Sequence, residues 1–396
     1  MSSRRPDTRF ESHDIGRDQS LERRLVRAEA RPHLFAYQSD LVEKAQAVIN
    51  EKSAALLSLP TGGGKTRTAA MAVINCLVEN SGTRFVWLAP TIELLDQAMN
   101  TFELLWRETG VAPDITLTRR VDKKRENLIW FTTPHAVNAA LKRSRRLGSW
   151  DVVVFDEAHQ MAARTYKTAV EDLRSTSRPA SAPLLGLSAT PGRTDPTETA
   201  DLLELFGRRL LRSDRLGDNP VAALQASGVL AKLNFRKFTA RKIPREDEVE
   251  RLEIAARAAR ELFNRGRHLL IFTASVGGAY LLQDILLGLE VAARAIDSDS
   301  PITERVGALA AFATREIGVL INQRLLATGY DCPAVTDVFL LPEVGSPILF
   351  EQMVGRAARG PRTGGSSVAT VWEFDDHLAL HGLPSSYYRY RDYDWS

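Results

Sequence analysis

The chain has 396 residues, of which 44% are hydrophobic and 26% charged. This size and composition are typical of a soluble globular protein, most simply one with two domains. The 52 basic residues are nearly balanced by 49 acidic ones, so a nucleic-acid partner would have to bind a local basic surface. The two cysteines, Cys76 and Cys332, exclude a disulfide framework or a zinc ribbon and fit a reducing compartment.

The sequence shows no targeting or membrane signal. Its first 20 residues lack the apolar core of a signal peptide, and no later segment has the roughly 18 uninterrupted apolar residues of a membrane span. We therefore expect a cytoplasmic protein that does not associate with membranes. Residues 1–30 are charged and show no strand pattern, which predicts a flexible or helical N-terminal extension.

Short apolar runs alternate with amphipathic helical stretches from residue 31 to about residue 215. Nearly continuous apolar strands separated by helices are typical of a parallel sheet covered on both faces. The candidate strands are AALLSL (54–59), TRFVWLAP (83–90), NLIWFTT (127–133), DVVVFDE (151–157) and APLLGLSAT (182–190). The sequence thus predicts a first α/β domain over residues 31–215.

A second series of apolar runs follows a mixed, charged piece that we expect to be a linker over residues 216–248. Its candidate strands are HLLIFT (268–273), VAARAI (291–296), IGVLIN (317–322), TDVFLL (336–341) and SVATVWEF (367–374). This pattern predicts a second α/β domain over residues 249–376. The C-terminal tail spans residues 377–396. Its last part, 386–396, alternates aromatic and charged residues and is either an edge strand or a docking segment.

The first candidate strand runs into a glycine-rich turn before a helical pattern. The turn contains Thr61, Gly62, Gly63, Gly64, Lys65 and Thr66. Its glycines let backbone N–H groups converge on an anion at the helix N-terminus. Lys65 would reach the β and γ phosphates of a nucleotide, and the Thr66 hydroxyl would hold magnesium. The generic phosphate-loop pattern has glycine where this chain has Leu59, so a glycine-rich turn without a ligand is the alternative.

The run DVVVFDE ends in two adjacent carboxylates, Asp156 and Glu157. A magnesium nucleotide needs a carboxylate from a neighbouring strand, and a buried strand ending in Asp156 would supply it. Glu157 would then orient or activate the attacking water. A helix N-cap is the alternative role for Asp156, although it leaves Lys65 and Thr66 without a metal partner.

The order of GGGKT, DEAH (156–159) and LSATPGR (187–193) resembles the nucleic-acid motors of helicase superfamily 2, over about residues 31–376. The resemblance implies two tandem RecA-like domains, each a mostly parallel sheet with helices on both faces. It also implies an ATP hydrolase that uses ATP and Mg²⁺. The subgroup with DEAH, SATPGR and GYDCP, which includes type I and type III restriction motor subunits and duplex translocases, is the most similar. DEAD-box RNA helicases fit less well.

The resemblance also implies roles for individual residues. The nucleotide-binding residues would be Tyr37, Gln38, Thr61, Gly62, Gly63, Gly64, Lys65, Thr66, Gly329 and Asp331, with Thr66 and Asp156 on the metal. The catalytic residues would be Lys65, Glu157, Gln352, Arg356 and Arg359. Ser188, Ala189 and Thr190 would couple the phosphate site to domain movement. The nucleic-acid contacts would be Pro90, Thr91, Thr133, Pro134 and Thr328.

Arg356 and Arg359 have a physical reason to act at the phosphates. An arginine supplied across a domain cleft can raise the rate of hydrolysis on the order of 10³ to 10⁵-fold. Residues three apart on a helix share one face, so we expect both side chains to point the same way. A surface salt-bridge pair is the alternative.

Two basic clusters, 117–127 and 142–148, flank the TTPH segment at 132–135. They could neutralise nucleic-acid phosphates, and solvated charge in loops is an equal alternative. We find no added recognition module, so we expect a protein partner to supply specificity, with DNA favoured over RNA. The predicted function is an ATP-dependent helicase or translocase. The alternative is an ATP-gated binding subunit of a larger restriction or phage-defence assembly, active only with a partner.

Overall fold

The computed structural model describes most of the two predicted domains. The described residues are 22–25, 33–107, 114–122, 124–143, 147–175, 181–193, 195–239, 241, 243–244, 246–327, 332–375, 377–382 and 393–395. Every helix in these ranges is too short or too polar to cross a membrane.

The first domain is built on an eight-stranded sheet. Its strands are β1 (Glu22–Leu25), β2 (Ala54–Ser58), β3 (Arg84–Leu88), β4 (Ile115–Thr118), β5 (Leu128–Thr132), β6 (Val152–Asp156), β7 (Leu184–Ser188) and β8 (Leu210–Leu211). The spatial order is β1-β4-β5-β3-β6-β7-β2-β8. All neighbours are parallel except β1 and β4. The strands that carry the sequence motifs therefore lie side by side in the middle of the sheet.

The second domain is built on a six-stranded sheet in which every pair is parallel. Its strands are β9 (Lys232–Lys237), β10 (Leu269–Phe272), β11 (Ala293–Ala295), β12 (Val319–Asn322), β13 (Asp337–Leu340) and β14 (Val368–Glu373). The spatial order is β11-β12-β10-β13-β14-β9. Together the two sheets confirm the predicted tandem α/β architecture.

Helices connect the strands in both domains. They are α1 (Ala36–Asn50), α2 (Lys65–Glu79), α3 (Ile92–Arg107), α4 (Pro134–Lys142), α5 (Arg164–Ser175), α6 (Pro196–Leu205), α7 (Pro220–Ala226), α8 (Glu248–Asn264), α9 (Val276–Gly288), α10 (Ile302–Ala313), α11 (Pro347–Val354) and α12 (His377–His381). Parallel strands need such crossover connections, which place helices on the faces of a sheet.

Each sheet is buried on both faces, as the continuous apolar strands predict. In β3, Trp87 packs into one apolar cluster of the first domain, while its neighbours Val86 and Leu88 pack into a second cluster on the opposite face. In β10, Leu270 and Ile271 divide in the same way between the two clusters of the second domain. Burial on both faces fixes the positions of the strand ends that carry the site.

Four strands, β1, β4, β8 and β9, were not predicted from the sequence. Two of them, β1 and β9, lie where a different structure was expected. The extension 1–30 contains β1, which pairs antiparallel with β4, rather than being only flexible or helical. The expected linker 216–248 contains α7 and also β9, which pairs with β14 at the edge of the second sheet. β9 has the sequence KLNFRK and is largely exposed, so its polarity hides it from an apolar-run search. β8 has only two residues, and β4, with the sequence ITLT, alternates apolar residues with threonine and so gives no continuous apolar run.

The chain's end returns to the first domain. The indole Nε1–H of Trp395 donates to the carbonyl oxygen of Pro191 at 3.2 Å, and its ring packs on an apolar cluster of the first domain. Asp394 forms an ion pair with Arg208. Residues 393–395 of the tail therefore dock on the first domain.

We predict that the buried His268 makes folding stability depend on pH. Burial, together with nearby Arg315, lowers the pKa of His268 to about 4, whereas an unfolded histidine has a pKa of about 6.5. The unfolded chain therefore binds a proton first, and stability falls as pH drops from 6.5 to 4, by at most about 3 kcal/mol. His268→Phe, which can still pack on Phe312, should flatten the dependence of the melting temperature on pH.

The exposed His135 provides the control for this prediction. His135→Phe should leave the slope of melting temperature against pH as in the parent chain. An unchanged slope in His268→Phe would show that His268 does not carry the effect.

Candidate active site

The glycine-rich turn lies between β2 and α2 and has the backbone shape of a phosphate loop. Gly62 and Gly64 have φ of 83° and 86°, a region that favours glycine. The N–H of Gly63 donates to the carbonyl of Pro60 at 2.9 Å, which closes the turn. Leu59, which replaces the glycine of the generic pattern, is fully buried in the core. It therefore anchors the start of the turn, and the missing glycine does not disturb the loop.

Two predicted nucleotide-binding residues at the start of α1 hold this loop from one side. The Tyr37 hydroxyl donates to the carbonyl of Gly63 at 2.9 Å, and burial raises the pKa of Tyr37 well above its usual value, so it stays a neutral donor. Gln38 accepts from the N–H of Phe35 at 3.0 Å, and its amide packs so closely on Gly64 that a Cβ there would clash. The two side chains that are predicted to bind the nucleotide thus also fix the geometry of the loop.

The two carboxylates at the end of β6 meet the start of α2. Asp156 Oδ2 accepts from the Thr66 hydroxyl at 3.3 Å, and Oδ1 accepts from the N–H of Glu157 at 2.9 Å. Burial and the Glu157 charge raise the pKa of Asp156 to about 7, while Lys65 and these hydrogen bonds act in the opposite direction. The bond to the next residue's N–H differs from an N-cap, which bonds two or three residues ahead. Asp156 is therefore not a helix N-cap, and its role as a metal ligand stays a prediction.

Glu157 occupies a strained backbone position. Its φ of 53° lies in the left-handed region, which is uncommon for a residue other than glycine. Such strain concentrates at functional sites, where the surrounding structure fixes it. Here Glu157 Oε2 lies 3.3 Å from His159 Nδ1. His159 belongs to a short 3₁₀ helix, Ala158–Ala162, that follows Glu157. The contact fixes the direction of the Glu157 side chain.

His159 connects the two carboxylates to residues 188–190, which we call the SAT segment. Its Nδ1 also lies 3.3 Å from Ser188 Oγ, which donates to the carbonyl of Thr190 at 2.6 Å and accepts the Thr190 N–H at 3.1 Å. Because the Ser188 proton points to Thr190, the network assigns the ring proton to Nδ1. Burial lowers the pKa of His159 to about 4, with nearby Glu157 acting in the opposite direction, so the ring is neutral at pH 7.

Arg356 and Arg359 reach the same cavity from the second domain. The cavity, of about 510 Å³, is lined by both arginines and by Lys65, Asp156 and Glu157. Arg359 Nη1 donates to the carbonyl of Gly62 at 3.0 Å across 297 positions of sequence. The burial of Lys65 lowers its pKa, Glu157 and Asp156 raise it, and the two arginines lower it further. Both arginines therefore face the cleft, which is not the arrangement of a surface salt-bridge pair.

The prediction that these two arginines share one face of a helix is wrong. Helix α11 ends at Val354, and Arg356 lies in a 3₁₀ turn, Gly355–Ala357. Arg359 lies beyond that turn, where its backbone forms an antiparallel bridge with Leu230. Helical spacing cannot have brought the side chains together, so another element must position Arg359.

Gln352 was predicted to join the catalytic group, but it does not line the nucleotide cavity. It lies one turn before Arg356 and faces a second interdomain cavity of about 830 Å³, together with His135, Gln160 and Arg193. Its backbone carbonyl accepts from Arg356 Nε at 3.0 Å. Gln352 therefore contacts the site through Arg356.

The predicted nucleic-acid residues lie at the carboxyl ends of β3 and β5. Thr133 accepts from the N–H of Ala136 at 3.2 Å and caps α4, and Thr91 accepts from Leu94 at 3.4 Å at the start of α3. Their neighbours Pro90 and Pro134 lie at the same sheet edge. The remaining predicted residues of the second domain, Thr328, Gly329 and Asp331, lie outside the described residues.

The basic cluster 117–127 is partly neutralised within the protein. Arg119 forms an ion pair with Asp96, and Arg125 Nε lies 3.6 Å from Asp122 Oδ2. These contacts favour a structural role for part of its charge. In the cluster 142–148, residues 144–146 lie outside the described residues.

Sequence reasoning missed two contacts that close the cleft. The Arg362 guanidinium lies over the Phe35 ring, 4.5 Å from its centroid. A Cβ on Gly355 would clash with Thr61, so α11 ends directly against the phosphate loop. The residue types gave a weak signal at most, since each contact joins segments about 300 positions apart.

Comparison with known proteins agrees with this geometry. The family described as type III restriction enzyme, res subunit, matches residues 31–193, and the helicase conserved C-terminal domain matches residues 253–361. The chain belongs to helicase superfamily 2. The two matches cover the first domain with its phosphate loop and the second domain with its arginines.

Individual proteins of known sequence or structure align along most of the chain. A helicase-type protein of Sulfolobus islandicus filamentous virus is 23% identical over 352 residues, which cover 82% of this chain and 61% of the viral protein. Saccharomyces cerevisiae Dbp5 bound to RNA and ADP BeF3 superposes with a TM-score of 0.62 at 19% identity, covering 89% of this chain and 87% of that chain. The ATP-dependent Type ISP restriction-modification enzyme LlaBIII bound to DNA superposes with a TM-score of 0.62 at 16% identity. The superposition covers 86% of this chain and 28% of LlaBIII.

These matches confirm the tandem RecA-like fold. The two family matches support the predicted ATP-hydrolysing enzyme. The fold similarity is equal for the RNA-bound and the DNA-bound protein, so the choice of nucleic acid is a separate question.

We predict that Tyr37→Phe weakens nucleotide binding. The variant removes the hydroxyl that holds the Gly63 carbonyl and keeps the ring stacked on Phe35. One lost hydrogen bond of about 1 kcal/mol corresponds to roughly fivefold in affinity. Titration with a fluorescent ATP analogue measures the change. Tyr280→Phe, which removes a hydroxyl bonded to Asp297 in the second domain, is the matched control and should bind as the parent does. Equal affinity of all three proteins would contradict a role for Tyr37 in the loop.

Proposed function

We propose that this superfamily 2 protein hydrolyses ATP between its two domains and uses the cycle to move along a nucleic acid, with DNA favoured over RNA. The observation that carries the proposal is the contact of Arg359, from the second domain, with Gly62 of the phosphate loop in the first. A site completed by two domains can couple nucleotide state to their relative position. Movement along a strand follows when each domain binds nucleic acid.

The residues present fit a magnesium nucleotide. Thr66 and Asp156 offer adjacent oxygen atoms 3.3 Å apart, which are the ligand type that Mg²⁺ prefers. When bound there, the ion would neutralise charge on the triphosphate. Lys65 and the backbone N–H groups of Gly62 and Gly64 would bind the phosphates, while the N–H of Gly63 closes the turn onto Pro60. Tyr37 and Gln38 would hold the loop in place.

Glu157 is the residue that we assign to the attacking water. Its carboxylate is buried beside Asp156, and neutral His159 holds it from the side away from the loop. A carboxylate that accepts a hydrogen bond can orient water for in-line attack and take its proton. Arg356 and Arg359 would stabilise the charge that develops on the transferred phosphoryl group.

The SAT segment provides a route from the phosphates to the nucleic-acid side. His159 contacts both Glu157 and Ser188, and it also lines the second cavity with His135 of the TTPH segment. A change at Glu157 would therefore reach a surface that we assign to nucleic acid. Ser188, Ala189 and Thr190 are the coupling residues in this proposal.

We assign nucleic-acid contacts to Pro90, Thr91, Thr133, Pro134 and Thr328. The family match to a restriction-enzyme subunit supports DNA as the preferred polymer. Helix N-termini at the ends of β3 and β5 suit phosphate binding without sequence preference.

A partner-dependent subunit is the second candidate function. The matching family is named as a subunit, and this chain covers only 28% of LlaBIII, so related proteins carry further parts. In this alternative, the chain binds nucleic acid under ATP control and turns over only in a complex that supplies specificity. Turnover and unwinding by the isolated chain would exclude it.

We predict that purified protein hydrolyses ATP and that a nucleic acid stimulates the rate. The measurement compares ATP turnover with single- and double-stranded DNA and RNA, and DNA should stimulate most. Lys65→Ala should abolish turnover, because it removes the cation that binds the β and γ phosphates. No stimulation by any polymer, with no effect of Lys65→Ala, would contradict the proposal.

We predict that Glu157→Gln separates binding from hydrolysis. The variant is isosteric and keeps a hydrogen-bonding group, but it cannot accept a proton from water, so kcat should fall about 10² to 10⁴-fold. Affinity for ATP should stay within a few-fold of the parent, since Asp156 and Thr66 are intact. Glu79→Gln, at the exposed end of α2, is the matched control. A kcat within twofold of the parent would exclude Glu157 as the base.

A further inference from the structure

The segment 228–231, between α7 and β9, runs antiparallel to the segment that carries Arg359. Leu230 and Arg359 form a β-bridge. Three backbone hydrogen bonds extend it: Ala231 N–H to the Ala358 carbonyl at 2.9 Å, Gly360 N–H to the Val229 carbonyl at 2.9 Å, and Arg362 N–H to the Gly228 carbonyl at 3.0 Å. The Thr363 hydroxyl also donates to the Val229 carbonyl, at 3.1 Å. The backbone on both sides of Arg359 is therefore fixed by this segment.

The same segment also touches the phosphate loop. Leu230 is buried, and a Cβ built on Gly62 would lie 2.8 Å from its Cδ2 atom. Gly62 is the residue whose carbonyl accepts from Arg359. Gly62, Leu230 and Arg359 thus form a triangle of contacts, with the interdomain segment between the loop and the arginine.

The two segments pack so closely that a side chain larger than hydrogen at Gly360 would not fit between them. A Cβ on Gly360 would clash with the carbonyl of Gly228, which is backbone and cannot turn aside. Helix α11 ends before Arg359, so no helix fixes that residue. The bridge with segment 228–231 holds the Arg359 backbone from one side, and Gly365 packs closely against the same backbone.

We propose that segment 228–231 positions Arg359 against the phosphate loop, with Leu230 as the positioning residue. The inference rests on the proposed function, because it assigns Arg359 to the phosphates. A long arginine side chain contributes most to a transition state when its position is set beforehand. The segment joins the two domains, so a change in their relative position moves the bridge and the arginine together.

Two variants test the proposal through ATP turnover. Gly360→Ala forces the two segments apart and leaves Arg359 unaltered, so kcat should fall about 10 to 100-fold, since misplacement by about 1 Å has effects of that size. KM for ATP should change less than about twofold, because the nucleotide contacts of the first domain are intact. Gly307→Ala, in α10 with no atom near its Cβ, is the matched control and should hydrolyse ATP as the parent does.

A double-mutant cycle separates positioning from a general loss of stability. Arg359→Ala should lower kcat on the order of 10³-fold. Leu230→Ala should lower kcat about tenfold in the parent and have no further effect in Arg359→Ala, because it acts through that arginine. If Leu230→Ala lowers kcat by the same factor in the parent and in Arg359→Ala, the proposal is overturned. If Leu230→Ala does not fold, Thr363→Val, which removes one bond to the segment, enters the same cycle with the same criterion.

Hydrogen exchange gives a readout that needs no turnover. The amides of Ala231, Gly360 and Arg362 should exchange slowly in the parent and in Gly307→Ala, and those of Ala231 and Arg362 at least tenfold faster in Gly360→Ala. Fast exchange of these amides in the parent would overturn the inference, even if ATP is hydrolysed. Slow exchange in a parent chain that does not hydrolyse ATP would instead contradict the proposed function. The bridge would then be only a structural contact, and the positioning role of Leu230 would be overturned as well.

Discussion

The position of half-buried Lys65 beside Asp156 and Glu157 is the constraint on which the rest of the structure depends. An ammonium group that is withdrawn from water is costly unless opposite charges and hydrogen bonds compensate it. Two carboxylates compensate Lys65, and two arginines from the other domain then add further positive charge to the same cavity. With all five groups charged, three cations face two anions, so the cavity is complementary to a polyanion such as a triphosphate.

The parallel sheet explains how residues distant in sequence reach this cavity. The carboxyl ends of β2, β6 and β7 lie at one edge because all three strands point the same way, and they are neighbours in the order β6-β7-β2. The phosphate loop, the two carboxylates and the SAT segment follow those three ends. Ligands in open α/β sheets bind at this edge for the same reason. The second domain adds Arg356 and Arg359 where α11 abuts Thr61.

Local sequence pattern predicts the parts of this structure that depend on local forces. The apolar runs gave ten strands, and the order of GGGKT, DEAH and SATPGR indicated the first-domain cluster of Lys65, Thr66 and Asp156 that the structure brings together. The strand β9 was missed because an exposed edge strand needs no apolar run. The bridge between Leu230 and Arg359 was missed because it joins segments about 130 positions apart, and helical spacing suggested a different geometry. Contacts set by domain packing leave no local signal.

A structure of the chain with Mg²⁺, ADP and a γ-phosphate mimic tests most directly whether both domains form one site. We predict that the guanidinium groups of Arg356 and Arg359 lie within hydrogen-bonding distance of the mimic, that Thr66 and Asp156 lie at the ion, and that Leu230 still packs on Gly62. A closed, nucleotide-bound structure in which both arginines point away from the mimic would contradict a shared site.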